Sequence, residues 1–314
     1  MYKFIKYILT INIICVVFIA VTTISIVLFP CDAFDGCWQS ILQAKYERLT
    51  ETNSPKIIMI SGSSSTFGLD QNYLESKIGY NVVNLGIQAS LGPEFLCELS
   101  KANINEGDIV LFGYEYTWWN EWTNFDSLRM DLLLSGIGDK YEIYKYIPVH
   151  KYPELMGYVF TFASLKIDKD KEYTGTYSIN SFDLKTTQMI LDRPYINYTY
   201  SEESEGIVDF SQMHIDEKVQ LYLKKYKEYV EKQGADIFFV SPPIVEKCIR
   251  NEEYVQFFIQ EEEEKIGIDY ISNPADYFFP EEYMFDTYYH CNNIGEKERT
   301  KLLINDLQNA GIID

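Results

Sequence analysis

The sequence predicts an α/β protein: five parallel strands flanked by helices, with a long apolar helix in front. Three observations lead there. Apolar runs of strand length alternate with helical spacings from Ile57 to the last helix. The turns that follow these runs are rich in Gly, Ser, Asn and Pro, the residues that strand-to-helix connections favour. The first thirty residues, in contrast, carry almost no turn signal at all.

At the amino terminus, Lys3 and Lys6 precede a nearly unbroken apolar run from Tyr7 to Phe29. A bilayer core needs roughly 20 apolar residues as a helix, and a secretory signal has about 7–15. No small-residue cleavage site follows, and Pro30 before Cys31 does not suit lipoprotein processing. Residues 1–30 are therefore expected to be an uncleaved transmembrane anchor, although a buried core helix or a cleaved signal carries a similar run. The lysines before the span and Asp32 and Asp35 after it put the amino terminus in the cytoplasm and the rest outside.

Residues 31–55 read as a juxtamembrane helix and linker, with Trp38, Ile41, Leu42, Tyr46 and Leu49 at helical spacing. The remaining stretch, 56–314, is long enough for one α/β domain with a large core. Its first strand, Ile57 to Ile60, stops in Ser61-Gly62-Ser63-Ser64-Ser65. A short helix from Asp70 to Ile78 closes at Gly79, and Tyr80 to Leu85 is the second strand. Pro93 opens a helix through Leu99, and Asp108 to Phe112 is the third strand. From about 114 to 215 the pattern breaks into an aromatic-rich insertion. Trp118, Trp119 and Trp122 there suit either a sugar-stacking platform or the core of a small cap. A helical stripe from Asp216 to Gly234 restores order. It leads to a fourth strand at Asp236 to Val240, a helix from Glu252 to Lys265, a fifth strand around Gly267 to Ile271, and a last helix from Gly295 to Leu307.

The net charge of −20 repels nucleic acid and anionic headgroups, so binding of phosphate polymers through bulk electrostatics is excluded. Six cysteines show no metal spacing; Cys31 and Cys37 are near enough in sequence to pair outside the cell, and an unpaired role is equally open. His150 and His214 lack partners at metal or catalytic spacing and read as structural. No metal or cofactor is expected.

Ligands of parallel sheets bind at the carboxyl ends of the strands, so the hydroxyl of Ser63 stands where chemistry is usually done. The same small residues would also serve a purely steric βα turn. A serine becomes a nucleophile when a base takes its proton. Only one histidine sits in a suitable loop, in Phe285-Asp286-Thr287-Tyr288-Tyr289-His290 before the last helix.

These blocks resemble the SGNH/GDSL hydrolase superfamily. Ser61-Gly62-Ser63 stands where that family has Gly-Asp-Ser, and Phe67-Gly68-Leu69-Asp70 is similar to the continuation in its membrane-anchored members. Asn84-Leu85-Gly86 resembles the second block, and Asp286 with His290, followed by Asn292, Asn293 and Gly295, resembles the closing Asp-x-x-His block. The resemblance implies a three-layer, flavodoxin-like arrangement, with Ser63 as nucleophile, His290 as general base and Asp286 as its orienter. It also implies that the N–H groups of Ser63 and Gly86 face the oxyanion. Asp286 and His290 stand one residue further apart than in the usual block. The third block, Gly113-Tyr114-Glu115-Tyr116, lacks the customary asparagine, so Ser64, Glu115 and Tyr116 are possible pocket residues. A register with Ser64 in place of Ser63 is the other alignment.

Anchored members of this layout work beside a multi-pass membrane-bound O-acyltransferase, passing an acyl group from serine to a cell-surface polysaccharide or teichoic acid. The resemblance thus implies an extracytoplasmic acyltransferase, with a polysaccharide O-acetyl esterase as the alternative. A non-catalytic scaffold for polymer export is the reading from outside the enzymes.

Overall fold

The computed structural model describes residues 2–29, 33–119, 125–167, 173–197 and 206–313. Helix α1 (Tyr2–Leu28) is exposed along most of its length, and its most apolar window has a mean hydropathy of 2.7. Among the described residues it is the one helix long and apolar enough to cross a membrane. Cys31 and Trp122 lie outside the described residues, while Cys37 is buried and burial pushes its thiol up.

The chain after α1 is α/β, built on a parallel sheet. Helix α2 (Ile41–Glu51) precedes the central strand β1 (Lys56–Ile60), which is followed by α3 (Ser63–Gly68), α4 (Gln71–Ile78) and β2 (Asn81–Asn84). Helix α5 (Pro93–Ser100) and β3 (Ile109–Phe112) come next, then α6 (Met130–Ile137) and α7 (Tyr152–Ile167). The last elements are α8 (Glu217–Lys232), β4 (Asp236–Phe239), α9 (Val255–Ile266) and α10 (Asn293–Asn309). The sheet order is β2, β1, β3, β4, all parallel, with Ile57 opposite both Val82 and Ile109, and Val110 opposite Ile237.

Four strands form this sheet, one fewer than expected. The segment around Gly267–Ile271 reaches β4 through two bonds only, Phe239 N–H to Asp269 O at 2.9 Å and Ile271 N–H to Phe239 O at 3.0 Å. The ladder cannot continue, because the Ser272 hydroxyl takes the next donor, Ser241 N–H, at 2.6 Å and a 3₁₀ turn begins at Pro274. Proline has no N–H to add to a ladder.

Alternation along the strands sends two apolar surfaces to opposite faces, as a sheet covered on both sides requires. Ile58, Ile60, Val83, Val110, Phe112 and Phe239 join the larger core, with α2, α5 and α8 supplying Leu42, Leu96 and Leu223. Ile57, Met59, Val82 and Leu111 form the other, with Leu74 of α4 and Leu303 and Leu307 of α10. Each such fully buried aliphatic side chain contributes about 1.5–3 kcal/mol. Helix α2 therefore packs its apolar face into the core of the domain.

At the foot of the sheet, Lys56 Nζ meets Asp108 Oδ2 at 2.7 Å with both side chains fully buried. Among the described residues the insertion contains two α-helices that the sequence concealed, because the apolar residues of α7 spread over most of its circumference and not only over its buried side. Trp119 is buried against Phe112 and Phe239 as core, whereas Trp118 faces a cavity.

Candidate active site

β1 delivers its chain to the carboxyl edge of the sheet, where Ser61 and Gly62 turn directly into α3. Position 62 must be glycine, since a Cβ there would lie 2.4 Å from Glu115 Oε2 and 2.5 Å from Oε1. Ser63 is the first residue of α3, and its Oγ lies 2.8 Å from His290 Nε2.

His290 is held by a short loop before α10. Phe285 N–H donates to His290 O at 2.8 Å, and Met284 pairs with Cys291 across the loop. Asn292 then caps α10 by accepting from Ile294 and Gly295 N–H, while its amide donates to Glu282 and Met284 carbonyls. This bracing leaves the imidazole one orientation, with Nδ1 2.7 Å from Asp286 Oδ1. The longer Asp286–His290 spacing thus still brings the carboxylate to the ring. Nδ1 donates to Asp286, which leaves Nε2 free to accept the Ser63 hydroxyl proton.

Burial alone would raise the Asp286 carboxyl, but hydrogen bonds from His290 and from the Tyr177 hydroxyl at 2.8 Å outweigh it and hold it below the usual range. The anion is thereby kept ready to stabilise an imidazolium. Phe67, one turn along α3 from Ser63, stacks flat against the imidazole with centroids 3.8 Å apart.

Ser63, not Ser64, meets the histidine. Ser64 Oγ pairs instead with Ser61 Oγ at 2.9 Å, and Ser64 N–H donates to Glu115 Oε1 at 2.9 Å. Tyr116 turns into the core, its ring edge-on to Phe210 and Phe258. Glu115 does line the cavity. Burial lifts its carboxyl above the ordinary range, which the Ser64 N–H only partly offsets, and Oε2 has no hydrogen-bond partner among the described residues.

Gly86 departs from expectation. Its N–H donates to Asn84 Oδ1 at 2.9 Å, and so is not directed at an oxyanion on Ser63. Asn84 Oδ1 also accepts the Ser65 hydroxyl at 2.8 Å while its amide donates to Ser65 O, locking the second block to α3. The glycine is steric here, because a Cβ would lie 2.0 Å from Ser65 Oγ.

Ser63 and His290 open on a cavity of about 470 Å³. Its walls include residues that sequence reasoning did not assign to the site. Trp38 and Gln39 come from just after the anchor, Gln88 from beyond the second block, and Tyr177 from the insertion, 109 positions from the carboxylate it binds. Tyr177 carries no signal in its neighbourhood that could have pointed to Asp286. His150 Nε2 lies 3.4 Å from both Glu94 and Asp126, His214 is exposed, and neither lines this cavity.

The chain matches no model of a known protein family, and a search of curated proteins likewise finds no match. The fold and the site by themselves define a class: an α/β protein presenting a Ser-His-Asp hydrogen-bonded chain at the carboxyl edge of a parallel sheet.

Proposed function

We propose that the chain is a membrane-anchored serine acyltransferase of SGNH type, with its site outside the cytoplasm, that O-acylates a cell-surface polysaccharide or teichoic acid. The observation that carries this reading is the unbroken chain from Ser63 Oγ through His290 to Asp286, with separations of 2.8 and 2.7 Å. Those are the distances over which a base takes a nucleophile's proton. The anchor is α1, with the amino terminus inside by the lysine asymmetry. A multi-pass O-acyltransferase is the suggested acyl donor.

In the first half-reaction Ser63 Oγ attacks the donor's acyl carbonyl while His290 Nε2 takes the hydroxyl proton. The tetrahedral adduct collapses, its leaving group takes that proton, and acyl-Ser63 remains. A polymer hydroxyl then attacks the ester as His290 accepts its proton. Expulsion of Ser63 Oγ, which recovers the proton, frees the O-acylated polymer. Asp286 holds the ring and its charge throughout. Ser63 N–H, in the first turn of α3 where the helix supplies no partner, is the backbone donor assigned to the developing oxyanion.

Fluorophosphonate labelling tests the nucleophile. Wild-type protein should be tagged at Ser63, and Ser63→Ala and His290→Ala proteins should not. Cells carrying either variant should make the polymer at normal length with fewer O-acyl groups; more O-acyl groups would indicate an esterase, with water as acceptor. The scaffold reading rests on a specific observation, the absence of a third-block asparagine together with the commitment of Gly86 N–H to Asn84. Absence of labelling, with unchanged acylation in cells that accumulate Ser63→Ala normally, would establish it over both enzymes.

A further inference from the structure

Helix α7 ends in a contact with the anchor. Lys166 Nζ donates to Val27 O at 2.7 Å and also binds Phe29 O, Tyr141 OH binds Leu28 O, and Phe162 stacks on Phe34 at 5.3 Å. Helices α1 and α7 pack together, and the buried residues of α1, Thr23 and Val27, fall in its last two turns. A cation at these carbonyls satisfies groups that a helix end leaves without intrahelical partners.

The length of α1 sets where this contact stands. Its apolar run from Tyr7 to Phe29, 23 residues at 1.5 Å per residue, makes about 35 Å against about 30 Å of hydrocarbon. The carbonyls of Val27, Leu28 and Phe29, where Lys166 and Tyr141 bind, therefore stand at the edge of the apolar layer. On the side of α7 away from its buried Leu155 and Phe162, a stripe continues from the preceding turn: Val149, Tyr152, Met156 and Phe160. Val149 is 82% exposed, Met156 57% and Phe160 56%. A run of large apolar side chains at helical spacing is costly in water, and beside an anchor it has a neighbour that removes the cost.

We infer that α7 lies in the outer leaflet's headgroup–acyl boundary, with Val149, Met156 and Phe160 inserted among the lipids. The inference rests on α1 spanning the bilayer. An apolar helix face of this kind buries to about 5–10 Å below the headgroups. Two attachments, the span and the lying helix, then fix the domain's tilt, which a single flexible tether would leave free.

The test uses the full chain in vesicles of phosphatidylcholine and phosphatidylglycerol, with Cys15→Ala and Cys31→Ala together as background and single nitroxides at Ile14→Cys, Met156→Cys, Phe160→Cys and Lys297→Cys. All four positions are exposed, so matching circular dichroism should show intact folding. Accessibility to oxygen and to a water-soluble nickel chelate reads depth. The Ile14 label should report the acyl interior and the Lys297 label water. The labels at 156 and 160 should favour oxygen over nickel at least threefold relative to Lys297. If 156 and 160 match Lys297 while Ile14 reads acyl interior, the inference falls and the anchor stands. If Ile14 itself reads aqueous, the anchor reading falls and the inference with it. Spin–spin broadening at 156 or 160 without oxygen preference would show a second copy on this face instead, and would also overturn it.

Discussion

The imidazole of His290 lies parallel to the ring of Phe67, their planes 8° apart and their centroids separated by 3.8 Å. Phe67 is itself stacked by Trp38 at 5.5 Å, so the ring that sets the base is held from the amino-terminal side of the chain. Phe67→Ala should let the imidazole rotate away from Ser63. Misplacing a reacting group by about 1 Å can cost up to 100-fold. We expect kcat, or the rate of fluorophosphonate labelling, to fall about 10- to 100-fold with KM little changed. A rise in KM at constant kcat would instead place Phe67 in substrate binding.

Asp286→Asn should be far more damaging, by about 10⁴-fold, because a carboxamide no longer enforces the proton on Nδ1. Tyr177→Phe removes one hydrogen bond to the same carboxylate and should cost about tenfold. It should also shift the acid limb. The Tyr177 hydroxyl helps hold the Asp286 carboxyl low, so without it Asp286 protonates at higher pH and activity is lost earlier on acidification. Profiles measured from pH 3 to 7 on both proteins check this; superimposable acid limbs would remove Tyr177 from the site's electrostatics.

Glu94 gives a pH dependence of stability. Burial first, then Asp126 and Glu98, push its carboxyl up to about 8. The folded state therefore binds this proton more tightly than the unfolded state. The associated stability is complete below about 4.5 and is lost as pH rises from about 4.5 to about 8. Glu94→Gln should flatten that slope, and urea titrations of both proteins at pH 5 and pH 8.5 measure the difference. Equal slopes would mean that Glu94 is ionised in the folded protein at neutral pH.

The buried Lys56–Asp108 pair predicts an asymmetry between single and double substitutions. Asp108 accepts from both the Nζ and the backbone N–H of Lys56, and from Asn105 N–H at 2.9 Å. Asp108→Ala strands a buried ammonium and should cost about 3–5 kcal/mol in urea unfolding. Adding Lys56→Met should recover a large part of that loss. Additive losses would show that the backbone bonds, and not the charges, carry the effect.

The strands were legible because a parallel sheet buried on both faces writes itself as unbroken apolar runs, and β1 to β4 begin and end within about a residue of those runs. The start of α4 at about Asp70 and its stop at Gly79 were legible, and the structure supplies local reasons: the Asp70 carboxylate accepts Tyr73 N–H, and the glycine takes φ 74°. Ser63, Asp286 and His290 could be picked out because the serine follows a strand and the aspartate and histidine share the loop that precedes the last helix. Tyr177 and Trp38 could not, since long-range packing alone brings them to the cavity. The fifth strand was over-read, because buried Ile268 packs as a strand residue would while the segment's pairing to β4 stops at a single bridge, Phe239 to Tyr270. Gly86 shows the opposite limit: the residue type pointed to an oxyanion donor, while its neighbours Ser65 and Asn84 account for it sterically.

That Trp38 and Gln39 wall the cavity has a consequence for reach. Trp38 is ten Cα-to-Cα steps along the chain from Leu28, the end of α1, and a chain spans at most about 3.3–3.6 Å per residue. On a spanning anchor the pocket can stand no further than about 35 Å from the bilayer, whatever the tether's conformation. Under the proposed function, a polymer would be modified only along segments that pass through this thin shell, so acylation would follow the order in which the polymer emerges at the membrane. The same confinement would give such a pocket a high effective concentration toward a membrane-borne donor without any added contact.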